Sequence, residues 1–335
     1  MNFKLIAGHE HNISHIKEMI QSGRIPHGIL LTGPEGIGKR LAAVAMAAAL
    51  NCADPGEDGA CGKCVSCRKL KSGNHPMVRF AGSTKNEEEL AAEFSGGEKV
   101  IIKNIGGEEA PAETAAEEDL SSNKKKVKIS IEQIRQIKRE VFLKPYKDSK
   151  KVFIVDDAAN ASPGALNCLL KILEEPPENT YFILVTSSGD SLPATIISRC
   201  SRYRFRPLTE KEMKYFLGLR PDAAKGVKDL SHQIKISGGS PGKFIEYSHI
   251  KDIKPGTLKT EKYFKVIKKW MGDKSESLRK LNIMLQLEGY DFRESPSGEK
   301  LDRVKIIEDT IERLNKNANR ELAISNMFLK LDGLS

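Results

Sequence analysis

The 335-residue chain holds one tryptophan, and only 6% of its residues are aromatic. Broad stacking surfaces have little to be built from, and the lone Trp270, in "VIKKWMGD", reads as helix packing rather than as a recognition anchor. Uninterrupted apolar runs of about eighteen residues are absent, which excludes a membrane-spanning helix. The N-terminal "MNFKLIAGHEHNISHIKEM" lacks the charged-then-apolar order of a secretion signal, so a cytoplasmic location is expected. No local Ser/His/Asp or Cys/His signature occurs, which removes support for nucleophilic hydrolase chemistry. No solenoid-type repeat is present either. Acidic residues are outnumbered, 45 against 54 basic ones, and the net charge of +9 points to an acidic partner, nucleic acid first. That excess is modest and spread along the chain.

What is present begins with a helix-spaced set, Ile13, Ile16 and Ile20, broken by "SGRIPHG". The apolar run Ile29 to Thr32 then leads into "GPEGIGKR", Gly33 to Arg40. The pattern GxxxxGK[ST] uses glycines so that backbone N–H groups close around phosphates, a lysine to reach the terminal phosphates, and a hydroxyl to ligate Mg²⁺. Gly33, Gly36, Gly38 and Lys39 suit a nucleotide, but the eighth position is Arg40. A guanidinium cannot ligate a cation, although it can salt-bridge to a phosphate. The alanine-rich "KRLAAVAMAAALN" that follows has strong helix propensity. Strand, loop and helix in this order predict a P-loop fold with the helix N-terminus facing an anion.

Four of the six cysteines crowd into one short stretch as Cys52, Cys61, Cys64 and Cys67. Two overlapping CxxC steps, with Cys52 at the end of the preceding helix, supply four sulfurs for structural Zn²⁺ in tetrahedral geometry. Four free thiols in a surface loop are the plainer alternative. Next, an acidic run containing Glu108, Glu109, Glu113, Glu117, Glu118 and Asp119 precedes Lys124, Lys125, Lys126 and Lys128. Residues 83–127 or so read as a solvated, disordered insertion, with a DNA contact by the lysines as the sharper alternative. Ser130 and Gln133 then stand in capping-box register before Ile134, Ile137 and Val141.

"KKVFIVDDA" predicts a buried parallel strand that delivers Asp156 and Asp157 at its C-terminal end, where α/β sheets place ligand sites. A helix opened by Ser162 and Pro163 follows, then the strand "YFILVTSS", then "ATIISRCSRYRF" with Arg199 in a short turn before a last strand. Alternating strands and helices make the first two hundred or so residues an α/β domain. Beyond Pro207 the patterns are helical, with one face carrying Leu278, Leu281, Met284 and Leu285 and another Ile306, Ile307, Ile311 and Leu314.

The order of these landmarks resembles one family along nearly the whole chain, the acidic insertion apart. "GRIPHGILLTGPEGIGK", the cysteines followed by His75 and Pro76, "LLKILEEPPENTYFILVT", "LPATIISRC" and "NANRELAISNMFL" are similar to the clamp-loader subunits of bacterial DNA polymerase III. Among these the resemblance is to the delta-prime type, because the tau/gamma motor type carries a complete GKT loop and an Asp-Glu pair where Arg40 and Asp157 stand. The resemblance implies a RecA-like AAA+ domain over 1–206 that includes the zinc module 52–67, a helical lid over 207–252, and an α-helical collar over 253–335. It implies a hetero-oligomeric ring with tau/gamma and delta subunits that places the sliding clamp on primed DNA, with no membrane partner. It also implies that Ser198, Arg199 and Cys200 form the motif whose arginine reaches the ATP of the neighbouring subunit; by itself, Arg199 would read as an ordinary surface arginine. An arginine finger supplied in trans is worth about 10³ to 10⁵ in rate.

Two defects then fall in one site. Arg40 removes the metal-ligating hydroxyl, and Asp157, one methylene shorter than the expected glutamate, is a poor holder of an attacking water, while Asp156 fits the metal-facing role. The expectation is weak ATP/Mg²⁺ binding with hydrolysis slow or absent. Gly242 and Lys243 fall where the family keeps a second nucleotide sensor, normally arginine, and Thr186 and Ser187 where it keeps the first. Thr186 either meets a γ-phosphate or caps its turn. Two other readings stand beside the leading one: an ATP-hydrolysing motor of the tau/gamma kind, and a zinc-containing DNA-binding protein with a vestigial P-loop.

Overall fold

The structure, a computed structural model, describes residues 2–82, 129–143, 149–227, 229–248 and 274–332. The acidic and lysine runs and Trp270 lie outside the described residues. Two compact units are present. The first takes the described residues up to Asp222 together with Gly238–Gly242, and the second takes Ala223–Ser237 and the described residues from Lys243 onward.

The first unit is built on five parallel strands: β1 (Gly28–Thr32), β2 (Val78–Ala81), β3 (Lys151–Asp156), β4 (Thr180–Thr186) and β5 (Ser201–Arg204), in spatial order β2-β3-β4-β1-β5. Every residue of β1, β3 and β4 is buried, as continuous apolar runs in a sheet covered on both faces require. Leu30, Phe153, Val155, Phe182 and Leu184 point to one face, with the Phe153 and Phe182 rings stacked 5.2 Å apart. There they meet α4 (Ile131–Val141) and α5 (Pro163–Glu174) through Ile134, Ile137, Leu169 and Leu173. Because strand side chains alternate, Ile29, Leu31, Ile154 and Ile183 face the opposite side. That side is covered by α2 (Lys39–Leu50), which touches β1, β3 and β4 and packs between α1 (Glu10–Gln21) and α3 (Val65–Lys71). Ten of the twelve α2 residues are buried, which its alanines permit.

Local signals explain the helix ends. Ser130 and Gln133 close a full capping box at α4, and Ser162 caps α5 with Pro163 in its first turn. The short α6 (Ala194–Ile197) leads into β5, and α7 (Glu210–Leu219) opens on a second capping box, Thr209 with Glu212. The strand β2 and the helix α3 have no counterpart in the sequence reading. Among the described residues no helix is long and apolar enough to cross a membrane.

The second unit is helical: α8 (Leu230–Ile236), most of α9 (Pro241–Ser248), α10 (Lys274–Glu294), α11 (Gly298–Asn315) and α12 (Arg320–Asp332). Leu278, Leu281, Met284, Ile307 and Leu314 are buried with Ile324, Met327, Phe328 and Leu331, so the two faces read from the sequence meet the last helix in one core. On α12, Leu322 and Leu329, one heptad apart, are 72% and 67% exposed.

Candidate functional site

The glycine loop joins the C-terminal end of β1 to the N-terminus of α2, the position at which open α/β sheets bind ligands. Gly33 has φ +136, and a Cβ there would stand 2.2 Å from the Phe205 carbonyl oxygen, so only glycine fits. Gly36 and Gly38 also have positive φ. Five successive loop carbonyls are engaged by the protein itself. Lys39 donates from Nζ to Gly33 O at 2.6 Å and to Pro34 O; Ser240 Oγ donates to Glu35 O at 3.0 Å; Gly242 N–H donates to Gly36 O at 2.8 Å; His9 Nε2 reaches Ile37 O at 3.0 Å. These contacts brace the curvature of the loop. Gly242 has no room for a side chain, since its Cβ would stand 2.8 Å from the Gly36 Cα. Burial pulls the Lys39 ammonium down to about 8, against the opposing pull of the Asp156 carboxylate.

Arg40 turns from α2 to the end of β3. Its Nε donates to Asp156 Oδ2 at 2.6 Å and its Nη2 donates to the same oxygen. The two side chains are 21% and 9% exposed, and the guanidinium carbon stands 6.0 Å from the Phe80 ring centroid. The carboxylate that the sequence reading assigned to a metal is therefore neutralised by the residue standing in the hydroxyl's position. Mg²⁺ demands oxygen ligands in near-octahedral array, and a guanidinium on one of them both occupies and repels. Asp157 adopts the left-handed conformation at φ 59, and its Oδ2 accepts from Asn160 Nδ2. Thr186 is buried; its hydroxyl donates to Ser188 O at 3.0 Å and accepts from Ser188 N–H at 3.3 Å, the turn-capping arrangement.

Arg199 lies at the other end of the sheet. Since β1 and β5 run parallel with Ile29 opposite Ser201 and Thr32 opposite Arg204, the loop after Thr32 and the turn before Ser201 are separated by the length of the strands. At about 3.3 Å per residue that is more than about 10 Å. The Arg199 guanidinium donates from Nη1 to Thr195 O at 2.9 Å and from Nη2 to Glu174 Oε1 at 2.8 Å. Ser198 Oγ donates to the same Thr195 carbonyl at 3.1 Å, and burial pushes the Cys200 thiol up to about 11.

The cysteines converge. All four Sγ atoms lie within 4.8 Å of one another, with Cys52 to Cys67 at 3.7 Å and Cys52 to Cys64 at 4.0 Å. Four thiolates around Zn²⁺ at about 2.3 Å would stand about 3.8 Å apart, so the donor set fits the ion. Backbone N–H groups also aim at sulfur, as thiolate ligands require: Cys61 N–H to Cys52 Sγ at 3.2 Å, Cys64 N–H to Cys61 Sγ at 3.4 Å and Cys67 N–H to Cys64 Sγ at 3.4 Å. These residues would hold zinc in a closed structural site that stitches the end of α2 to α3. Beside it, His75 is buried. Its Nδ1 accepts the Met77 N–H at 3.2 Å, so Nε2 carries the proton and donates to Ser66 Oγ at 2.8 Å. Burial first, then the charges of Lys69 and Arg79, lower the imidazole to about 4.

Sequence reasoning missed the Lys39, His9, Ser240 and Gly242 contacts to the loop and the Arg40 to Asp156 pair. For Ser240 and Gly242 the "GGSPGK" cluster was a signal; for the pair there was none beyond the odd residue at position eight.

The chain is similar to known proteins. The chain is 30% identical over 209 residues to the DNA polymerase III subunit tau of Bacillus subtilis, covering 62% of this chain and 30% of that protein. It is 29% identical over 216 residues to the DNA polymerase III subunit gamma of Buchnera aphidicola, covering 64% of this chain and 48% of the relative. The matched stretches thus span less than half the length of either relative. A crystal structure of a DNA polymerase III gamma subunit-related protein of Thermotoga maritima aligns at TM-score 0.53 and 16% identity, over 96% of this chain and 98% of that one, a likeness of fold. The family described as DNA polymerase III, delta subunit, matches residues 8–209, from just before α1 to the Thr209 cap and so across all five strands, the glycine loop, the cysteines and Arg199. With that match spanning more than half of its length, the chain belongs to the DNA polymerase III delta-subunit family.

Proposed function

We propose that this chain is a delta-prime-like, non-motor subunit of a DNA polymerase III clamp loader. It helps place the sliding clamp on primed DNA and supplies Arg199 to the ATP site of a neighbouring subunit. The observation that carries this reading is the Arg40 to Asp156 ion pair, which removes both the hydroxyl and the free carboxylate that a hydrolysing P-loop gives to Mg²⁺. Arg199 supports it from the other end of the sheet: it is remote from its own glycine loop, so a role at a nucleotide has to be at the site of another chain. At the neighbour's site water attacks the γ-phosphorus, the bond to the β-γ bridging oxygen breaks, and ADP, phosphate and a proton leave. Arg199 bears on the negative charge of the γ-phosphoryl oxygens during that step.

We assign the remaining parts accordingly. The zinc module at Cys52, Cys61, Cys64 and Cys67 is structural. Residues 207–252 serve as the lid and 253–335 as the collar, with the exposed Leu322 and Leu329 of α12 offered to other subunits of a hetero-oligomeric ring in the cytoplasm. Tau/gamma and delta subunits are the partners.

A motor role, with Arg40 and Asp157 tolerated, is favoured by one observation, the kinship to tau and gamma subunits. The test is ATP turnover by a loader reconstituted with its motor subunit, clamp and primed DNA, comparing wild type, Arg199→Ala and Lys39→Ala. Loss confined to Arg199→Ala is expected, by about 10³-fold at the site served. Turnover by the isolated chain that disappears with Lys39→Ala would instead make it a motor. Tight, strongly salt-dependent binding of the isolated chain to primed duplex would favour the DNA-binding reading.

A further inference from the structure

We infer that Glu174 is a positioning residue for Arg199, fixing its guanidinium in the orientation delivered to the adjoining subunit's ATP; this rests on the trans role proposed above. A guanidinium carries five N–H donors in a rigid plane. Here one is held by the Thr195 carbonyl and one by the Glu174 carboxylate, from opposite ends of the plane, which leaves three for an incoming phosphate.

Both anchors sit on helical backbone. Glu174 is the last residue of α5, immediately before Glu175 and the Pro176-Pro177 pair, and α5 and α6 share one core through Leu169, Leu173 and Ile196. The Arg199 backbone is pinned as well. Its N–H donates to Ile196 O at 3.1 Å, and its carbonyl oxygen stands 2.6 Å from where a Cβ on Gly28 would be, so the head of β1 has to be glycine for the turn to sit there. What remains to be fixed is the arginine side chain, which the Thr195 carbonyl holds at Nη1 and Glu174, the side-chain group, holds at Nη2. Without it, a long flexible side chain has to be ordered in the transition state, which slows the chemical step rather than nucleotide binding. The pair is 36% and 41% exposed, so it adds little to stability and its loss leaves the fold intact. The same solvent access makes it a poor lock for withholding Arg199 from a partner.

The experiment uses the full chain in a reconstituted loader with clamp and primed DNA, comparing wild type, Glu174→Gln, Glu174→Ala and Arg199→Ala. Steady-state kcat and KM for ATP are measured, together with affinity for the ADP–aluminium fluoride mimic of the transition state. Glu174→Ala is expected to lower kcat about tenfold with KM unchanged and to weaken the mimic by a similar factor. Glu174→Gln keeps an acceptor oxygen and retains most of the activity, and the isolated Glu174→Ala chain melts with wild type. If Arg199→Ala is crippled while Glu174→Ala equals or exceeds wild type, Glu174 does not position the finger and this inference alone fails. If Arg199→Ala itself matches wild type, the trans role fails and the inference goes with it.

Discussion

Arg40 and Asp156, 116 residues apart, are joined by two donors on one carboxylate oxygen at the point where the P-loop helix meets the end of β3. The charge of a divalent cation is replaced there by one that is covalently part of the chain. A fixed guanidinium differs from Mg²⁺ in two ways: it cannot be lost to chelators, and it offers no ligand positions to a nucleotide's β- and γ-oxygens.

Replacing the arginine should therefore change metal dependence. Arg40→Thr restores a hydroxyl and frees Asp156, and it is expected to show Mg²⁺-dependent binding of a fluorescent ATP analogue that wild type lacks. Titration with and without EDTA measures this; wild-type binding that is already tight and EDTA-sensitive would refute it. Arg40→Ala leaves Asp156 charged and nearly buried, so it should lose about 2 to 4 kcal/mol of stability, of which the Arg40→Ala/Asp156→Ala pair recovers a part.

Zinc content is a separate expectation. Elemental analysis should find one equivalent per chain, absent from Cys64→Ser. Chelation should lower the melting temperature and expose the Cys52 to Cys67 stretch to protease, because the metal closes a segment with few other buried contacts. Folded, metal-free protein with unchanged protease resistance would count against the site.

Acid sensitivity follows from His75. Its pKa in the fold is about 4, below the ordinary value of 6.5, so the unfolded chain binds the proton first as pH falls. Stability from burying the neutral ring is complete above about 6.5 and is lost between there and about 4. From pH 7 to pH 5 the loss attributable to this group is about 2 kcal/mol. Urea midpoints for wild type and His75→Gln at both values measure it. Identical pH dependence in the two proteins would remove the assignment.

The sheet was legible in the sequence where buried strands are long and continuous, as in β3 and β4, and helix starts where side chains cap them locally, as at Ser130 and Ser162. Strand β2 was not legible, because "VRFA" is four residues long with a charge inside and gains its identity only by pairing with β3. The convergence of four sulfurs could be read because ligand spacing is a local property. The partner of Arg40 could not be: α2 and β3 become neighbours only once the strand order is set, and no local pattern encodes that. The same holds for His9 and Ser240, which reach the loop from 28 and 205 residues away.

The five engaged carbonyls of the glycine loop bear on how such loops are diagnosed. A glycine signature is usually taken as a sign of chemistry in progress. In this chain Gly33 is required by the Phe205 carbonyl and Gly242 by the Gly36 backbone, whether or not a phosphate ever arrives. The signature would survive selection for folding alone, and a scan that counts glycines would score it as catalytic. The residue that follows the lysine is under no such steric obligation, and here it is an arginine whose guanidinium is committed to Asp156.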